Sequence, residues 1–381
     1  MEEPCIVTLV PPLIPQKYIF GGMEKRAYKV DEFLIKSDKI KYDIFILGKD
    51  PKYPIAGSRP LGFGYIRRIG FKNLKYTAYL CFHPEKLARI FNKYDLIHLH
   101  FPVGVPAILI LKRYVKKPIV VTHHLTPAKI KGKEFEDLVW NIWDYALRIM
   151  TSKMFRDYDK IIFSTYSHLD FLKYIKPDYR KKAIVIPNGV DTKYFNPFDK
   201  NKEELKEKYN VKRVYLYFGR IAPEKGVFGL IDAWKKFKHK KESVLLLIGP
   251  YMGDKNLYTL RKHNIIYLGP IVDEKKLAYY VKNADVIVLP HKLKGLSLTI
   301  LEALATENTI VLPKIVFTDF MKRYKQLFYL IEDFSEKNIL EALEETFYKD
   351  HLAKGGYEIV KKNHSWEAIA NKYIEVFCSL L

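Results

Sequence analysis

Two cations five residues apart, Arg220 and Lys225, stand in the stretch LYFGRIAPEKG (216–226), just past Gly219, which closes an apolar run. Tyr215 to Phe218 are β-formers, and VFGLIDAWKKF from Val227 has the apolar spacing of an amphipathic helix, so the unit predicts strand, turn, helix. A guanidinium and an ammonium at such a turn, near the unpaired N–H groups of a helix start, suit a diphosphate. The plainer alternative is a strand-to-helix turn with two solvated cations. A second segment, LKGLSLTILEALA (293–305), predicts a helix start with Gly295 near the turn, Ser297 and Thr299 early and Glu302 one turn further in. Glu302 is of the type that accepts hydrogen bonds from a ribose diol, or else it only complements the helix dipole. His98 and His100 share one face of a strand, a spacing that permits metal binding, but no third ligand is evident nearby and no metal site is expected.

These residues need a scaffold that brings strand ends together. In the first half, Cys5 to Leu9, Ile44 to Leu47, DLIHLH (95–100), PIVVT (118–122), Ile161 to Ser164 and Ala183 to Ile186 predict strands, and most of the segments between them predict helices. Helices are predicted over Glu24 to Leu34, Pro84 to Phe91 and Glu134 to Phe155, and the last of these gathers Leu138, Trp143, Leu147, Met150 and Met154 largely on one face. Two short strands around Gly64 to Ile69 and Thr77 to Cys81 complete this half. Pro187-Asn188-Gly189 breaks the pattern, and a charged helix within Asp199 to Tyr209 leads into the second half. There strands are predicted at Val214 to Phe218, Val244 to Ile248, Ile265 to Tyr267, Val286 to Leu289 and Thr309 to Leu312. Two successive βα halves imply an α/β protein of two Rossmann-like domains facing each other across a cleft. The expected division is 1–187, 188–365, and a closing helix at 366–381 that returns to the first domain.

The chain has 381 residues, 48% of them hydrophobic and 14% aromatic, enough to bury a sizeable core. The net charge of +22 points to anionic partners, and the first half is the more basic. Cys5, Cys81 and Cys378 form no paired spacing, which suggests neither a zinc site nor a disulfide framework and fits a reducing cytoplasm. No run approaches the length of a membrane span. Lys112, Arg113, Lys116 and Lys117 form one candidate basic patch and Arg67, Arg68, Lys72 and Lys75 another, suited to an acidic lipid surface or forming only a solvated face. No nucleic-acid-binding motif accompanies the charge.

Taken in order, several segments resemble the family-4 retaining glycosyltransferases, also grouped as glycosyl transferases group 1, which have the two-Rossmann GT-B architecture. FGRIAPEKG, IPNGVDTKYFNP, YLGPIVDEKKLAYYVKNADVIVLP and HSWEAIANKY are similar to successive stretches of that family, and Gly21-Gly22, DLIHLH and VVTHHLTP occupy the places of its glycine loop, histidine strand and T-x-H segment. The resemblance implies that Arg220 and Lys225 neutralise the donor diphosphate as the glycosidic bond breaks and that Glu302 holds the ribose. It further implies that the amides of Leu298 and Thr299 meet the phosphate. Gly219 closes the strand at that site, and Gly22 lets the first domain's loop approach the phosphates. His124, not His123, would touch the transferred sugar. Such an enzyme takes a nucleotide-sugar, UDP- or GDP-linked, and a glycan, lipid-linked or small-molecule acceptor; it needs no metal and no cofactor, and binds no nucleic acid. A cytoplasmic place, peripheral on the inner face of the membrane, fits the charge.

The sequence departs from the family at the donor sugar. Eight positions before Glu302, where the family has a second Glu, stands Lys294; Gly295-Leu296-Ser297 replaces a glycine-phenylalanine-glycine, and PKIVFTDFMKRYKQ after Leu312 replaces a Gly-Gly loop. The alternative these departures raise is a catalytically inactive GT-B module that binds an anionic partner or a membrane surface.

Overall fold

The computed structural model describes residues 3–10, 22–46, 59–60, 65–71, 74–80, 84–101, 112–123, 155–165, 177–251, 253, 256–291, 295–314 and 318–381. Its contacts separate two units. One comprises Met1–Lys17, Ala27–Pro187 and Ala370–Leu381, and the other Tyr18–Arg26 and Asn188–Ile369.

In the first unit short runs, most of them β-branched and apolar, make the strands β1 (Cys5–Val10), β2 (Lys41–Ile46), β3 (Arg59–Pro60), β6 (Leu96–Phe101), β7 (Ile119–His123), β8 (Lys160–Phe163) and β9 (Ala183–Val185). They form one sheet in the order β3-β2-β1-β6-β7-β8-β9 with every pair parallel. Parallel strands joined by crossovers are covered on both faces, and Ile6, Val7, Leu96, Ile97, Ile119, Val120 and Val121 are accordingly buried. The strands predicted on either side of residue 72 pair antiparallel as a separate ribbon, β4 (Tyr65–Phe71) with β5 (Leu74–Leu80). Helices α1 (Gly22–Ile35) and α2 (Pro84–Phe91) fall where the sequence places them, whereas most of the predicted helix Glu134 to Phe155 lies outside the described residues.

The second unit contains β10 (Arg213–Phe218), β11 (Ser243–Ile248), β12 (Ile265–Gly269), β13 (Val286–Val288), β14 (Thr309–Pro313) and β15 (Tyr329–Ile331). Their order is β12-β11-β10-β13-β14-β15, again all parallel. The two-residue alternation of β10 sends Leu216 and Phe218 into one buried cluster and Tyr215 and Tyr217 into another, so the sheet carries a core on each face. Helices α3 (Lys202–Tyr209), α4 (Val227–Lys236), α5 (Glu274–Asn283) and α6 (Leu298–Ala305) alternate with the strands or precede them. They are followed by α7 (Asp319–Arg323), α8 (Glu336–Tyr348), α9 (Gly356–His364) and α10 (Trp366–Cys378). Strand β15, absent from the sequence reading, adds an edge beside β14.

Candidate active site

The strand order of the second unit reverses at β10, whose neighbours are β11 and β13. In an open parallel sheet, the loops that leave the strand ends at such a reversal diverge to opposite faces and open a crevice for a ligand. The loop after β10 carries Gly219, Arg220 and Lys225, and the loop after β13 carries Pro290 and His291 and leads on to α6. The predicted residues therefore stand on both sides of the switch point.

Close approaches tie the two loops. Gly226 has φ +72°, and a Cβ there would lie 2.0 Å from the Pro290 carbonyl oxygen, so both the left-handed backbone and the contact require glycine. A Cβ on Gly219 would lie 3.6 Å from Cγ2 of Thr299, which brings the end of β10 against the first turn of α6. Arg220 is exposed, and its carbonyl accepts the Tyr217 hydroxyl at 2.7 Å. Lys225 is half-buried and its charge acts on His291. That imidazole is 4% exposed; burial lowers its pKa to about 3, with the nearby Lys225 ammonium acting in the same direction, so His291 is neutral at physiological pH.

The start of α6 is held by its own cap and by a chain of hydrogen bonds. Ser297 caps the helix by accepting from the Ile300 amide at 3.3 Å, and Leu301 N–H begins the helical ladder on the Ser297 carbonyl. The amides of Leu298 and Thr299 are thus the first-turn donors that the helix itself does not use. The Asn188 side chain donates to the Leu296 carbonyl at 3.0 Å and accepts from buried Arg26 at 2.9 Å. Val190 pairs with Ser365, and the indole of Trp366 fills the space a Cβ on Gly189 would need. The Asn188-Gly189-Val190 motif thus fixes the approach to α6 rather than doing chemistry.

Glu302 is 3% exposed on α6, and its partner was not legible in the sequence. Lys25, from the first turn of α1 and within the second unit, donates to its Oε1 at 2.5 Å and lies 3.0 Å from Oε1 of Glu274. Burial works against the Lys25 ammonium, but Glu302 and Glu274 outweigh it and hold its pKa above the ordinary lysine value. Gly22 opens the same helix, while His124 and Lys294 lie outside the described residues.

In the first unit, the structure corrects the expectation that His98 and His100 lack a third ligand. Asp31 supplies one, and potential ligand atoms of the three buried residues lie within 4.8 Å of one another. They are engaged otherwise, however. Asp31 Oδ1 accepts the Tyr42 hydroxyl at 2.8 Å and lies 3.0 Å from His100 Nε2. His98 meets the same hydroxyl through Nδ1 at 2.7 Å and Thr122 Oγ1 through Nε2 at 2.8 Å, and Thr122 reaches the Tyr373 hydroxyl at 3.2 Å. A carboxylate only accepts, so the Tyr42 proton goes to Asp31 and His98 Nδ1 donates to Tyr42. With both His98 ring nitrogens occupied, the cluster forms a buried hydrogen-bond chain.

Residues 20–194 match the model of Glycosyltransferase Family 4, and residues 212–347 that of Glycosyl transferases group 1. The chain belongs to the group 1, family 4 glycosyltransferases. This glycosyltransferase is 23% identical over 400 residues to an uncharacterized glycosyltransferase of Methanocaldococcus jannaschii, covering 96% of this chain and 97% of the other. It is also 23% identical over 396 residues to a probable sucrose-phosphate synthase of Thermosipho melanesiensis, covering 96% and 89%. Among solved structures, sucrose-phosphate synthase from Thermosynechococcus elongatus superposes with a TM-score of 0.71 at 18% identity, covering 99% of each chain. Anabaena HepE in complex with UDP and glucose gives 0.71 at 15% identity, covering 99% of this glycosyltransferase and 100% of that chain. The fold is that of GT-B enzymes.

Proposed function

We propose that this glycosyltransferase is retaining and moves a hexose from a UDP- or GDP-linked donor to a hydroxyl of a glycan, lipid-linked or small-molecule acceptor. The observation that carries this reading is the convergence at the β10/β13 switch point of Gly219, Lys225 and the open first turn of α6. Arg220 and Lys225 neutralise the diphosphate as the glycosidic bond breaks, where preorganised charge lowers the barrier most. The amides of Leu298 and Thr299 meet a phosphate oxygen, and Glu302 accepts from the ribose hydroxyls. These cations take the place of a metal. Gly22 allows close approach to the phosphates and His124 contacts the transferred sugar, the acceptor being held by the first unit. HepE, solved with UDP and with UDP-glucose, supports a uridine donor.

An inactive module that binds an anionic partner is the second reading, favoured by Lys294 where the family has its first Glu. Incubation with a panel of UDP- and GDP-sugars, followed by mass spectrometry for released nucleoside diphosphate, separates the two. Consumption of one donor supports the enzyme. Consumption of none supports the inactive module.

A further inference from the structure

The Lys25 ammonium sits in a cage that is unusual for a helix-start lysine. Glu302 Oε1 lies at 2.5 Å, Glu274 Oε1 at 3.0 Å, and the centroid of the fully buried Phe195 ring at 5.5 Å. Glu302 comes from α6 and Glu274 opens α5, so one ammonium stands between two carboxylates that would otherwise repel each other. An ammonium has three N–H donors; one bonds Glu302, and Glu274 is held beside it as an ion pair. The ring is beyond hydrogen-bonding distance, and the Lys25 side chain keeps 21% of its surface exposed against 4% for Glu302. Among the described residues no third acceptor meets the ammonium, which leaves a donor for a ligand beside the carboxylate. Lys25 meets Glu302 through one oxygen, Oε1, leaving acceptor capacity on the carboxylate.

Resting on the reading that Glu302 receives the donor ribose, we propose that Lys25 and Glu302 read that ribose as a pair. The Glu302 carboxylate accepts the proton of one hydroxyl, and the Lys25 ammonium donates to a hydroxyl oxygen of the same diol. A ribose hydroxyl is both donor and acceptor, so a carboxylate alone satisfies only half of its capacity; the pair satisfies both and rejects a sugar lacking the hydroxyl. Glu274 and Phe195 hold the ammonium in place for this. Lys25 is thereby a specificity residue for the nucleoside, independent of the transferred sugar.

The test is calorimetric binding of UDP and GDP, and of the 2′-deoxy and 3′-deoxy forms of whichever binds, to the full chain as wild type, Lys25→Met, Lys25→Arg and Glu302→Gln. Thermal melting checks that each variant is folded. A charge-assisted hydrogen bond lost on binding is worth about tenfold or more in affinity. Lys25→Met is expected to bind the natural nucleotide about tenfold more weakly than wild type while binding one deoxy form with less than about twofold change, with partial recovery in Lys25→Arg. Equal losses for natural and deoxy nucleotides, or tighter binding by Lys25→Met, would show that Lys25 merely props or plugs the pocket and would overturn the pair. If Glu302→Gln leaves the affinity of the natural nucleotide unchanged, or wild type binds neither nucleotide, the ribose reading itself falls and the pair with it.

Discussion

Arg220 and Lys225 stand out as candidates in the sequence because they lie within one short segment whose strand, turn and helix can each be inferred locally. Lys25 was not, since its partner Glu302 stands 277 positions away and nothing local marks the pair. The same holds for Asp31, which reaches His100 across 69 positions and turns a two-histidine spacing into a closed hydrogen-bond chain. His291 beside Lys225 was likewise invisible: its neutrality comes from burial, which a sequence does not display. That neutrality has a measurable consequence. Its pKa is depressed in the folded protein, so as pH falls below the ordinary histidine value near 6.5 the unfolded chain takes up a proton that the folded one refuses. Stability is untouched above about pH 7 and declines below it, by about 2 kcal/mol from this residue at pH 5. Denaturant unfolding at pH 7 and pH 5 is expected to show a smaller acid loss for His291→Gln than for wild type, by about that amount. Identical losses would mean that His291 accepts a proton in the folded state.

At the scale of elements, strands with four or more apolar residues were legible, as β10 and β11 illustrate, because buried parallel strands leave continuous hydrophobic runs. Strand β15 was not, because its three residues, Tyr329–Ile331, have no periodicity of their own and are strand only through pairing with β14. The Asn188-Gly189-Val190 motif was recognisable as a pattern, but its purpose appears only where Asn188 ties Leu296 to Arg26 just ahead of the α6 cap. The turn between β10 and α4 makes a sharper prediction. Gly226→Ala must adopt the left-handed backbone and also push away the Pro290 carbonyl, so it is expected to lower stability by at least about 2 kcal/mol and to displace Lys225. Denaturant titration checks the first effect, and weakened nucleoside diphosphate binding under native conditions checks the second. An alanine variant as stable as wild type would show that the two loops do not pack as described.

For the molecule as a whole, alternating strands and helices were enough to foresee two Rossmann-like units. The order of strands was not foreseeable from periodicity alone, since it depends on which crossovers pack on which face. That order matters most, because it puts the Gly219 loop and the loop leading to α6 at one reversal point. The charge of +22 also belongs to this scale. Part of one basic patch is compensated: Lys112 lies 3.4 Å from Asp159 and Lys117 lies 3.9 Å from Asp95, while Arg113 and Lys116 are exposed. Among the described residues no helix is long and apolar enough to cross a membrane. Attachment to an acidic surface through the exposed Arg113 and Lys116 would be electrostatic. Co-sedimentation is expected to favour vesicles containing acidic lipid over neutral ones and to weaken between about 0.1 and 0.5 M salt. Equal sedimentation with both kinds of vesicle would count against a peripheral membrane role.

Stabilisation of a departing nucleoside diphosphate is the role proposed for the cations after β10. It is tested most directly by the turnover of Lys225→Ala with a donor that wild type consumes, followed by release of the nucleoside diphosphate. Loss of a charge that acts on the leaving group is expected to reduce kcat by about a hundredfold or more, with the melting temperature unchanged. An undiminished rate in a folded Lys225→Ala protein would contradict it.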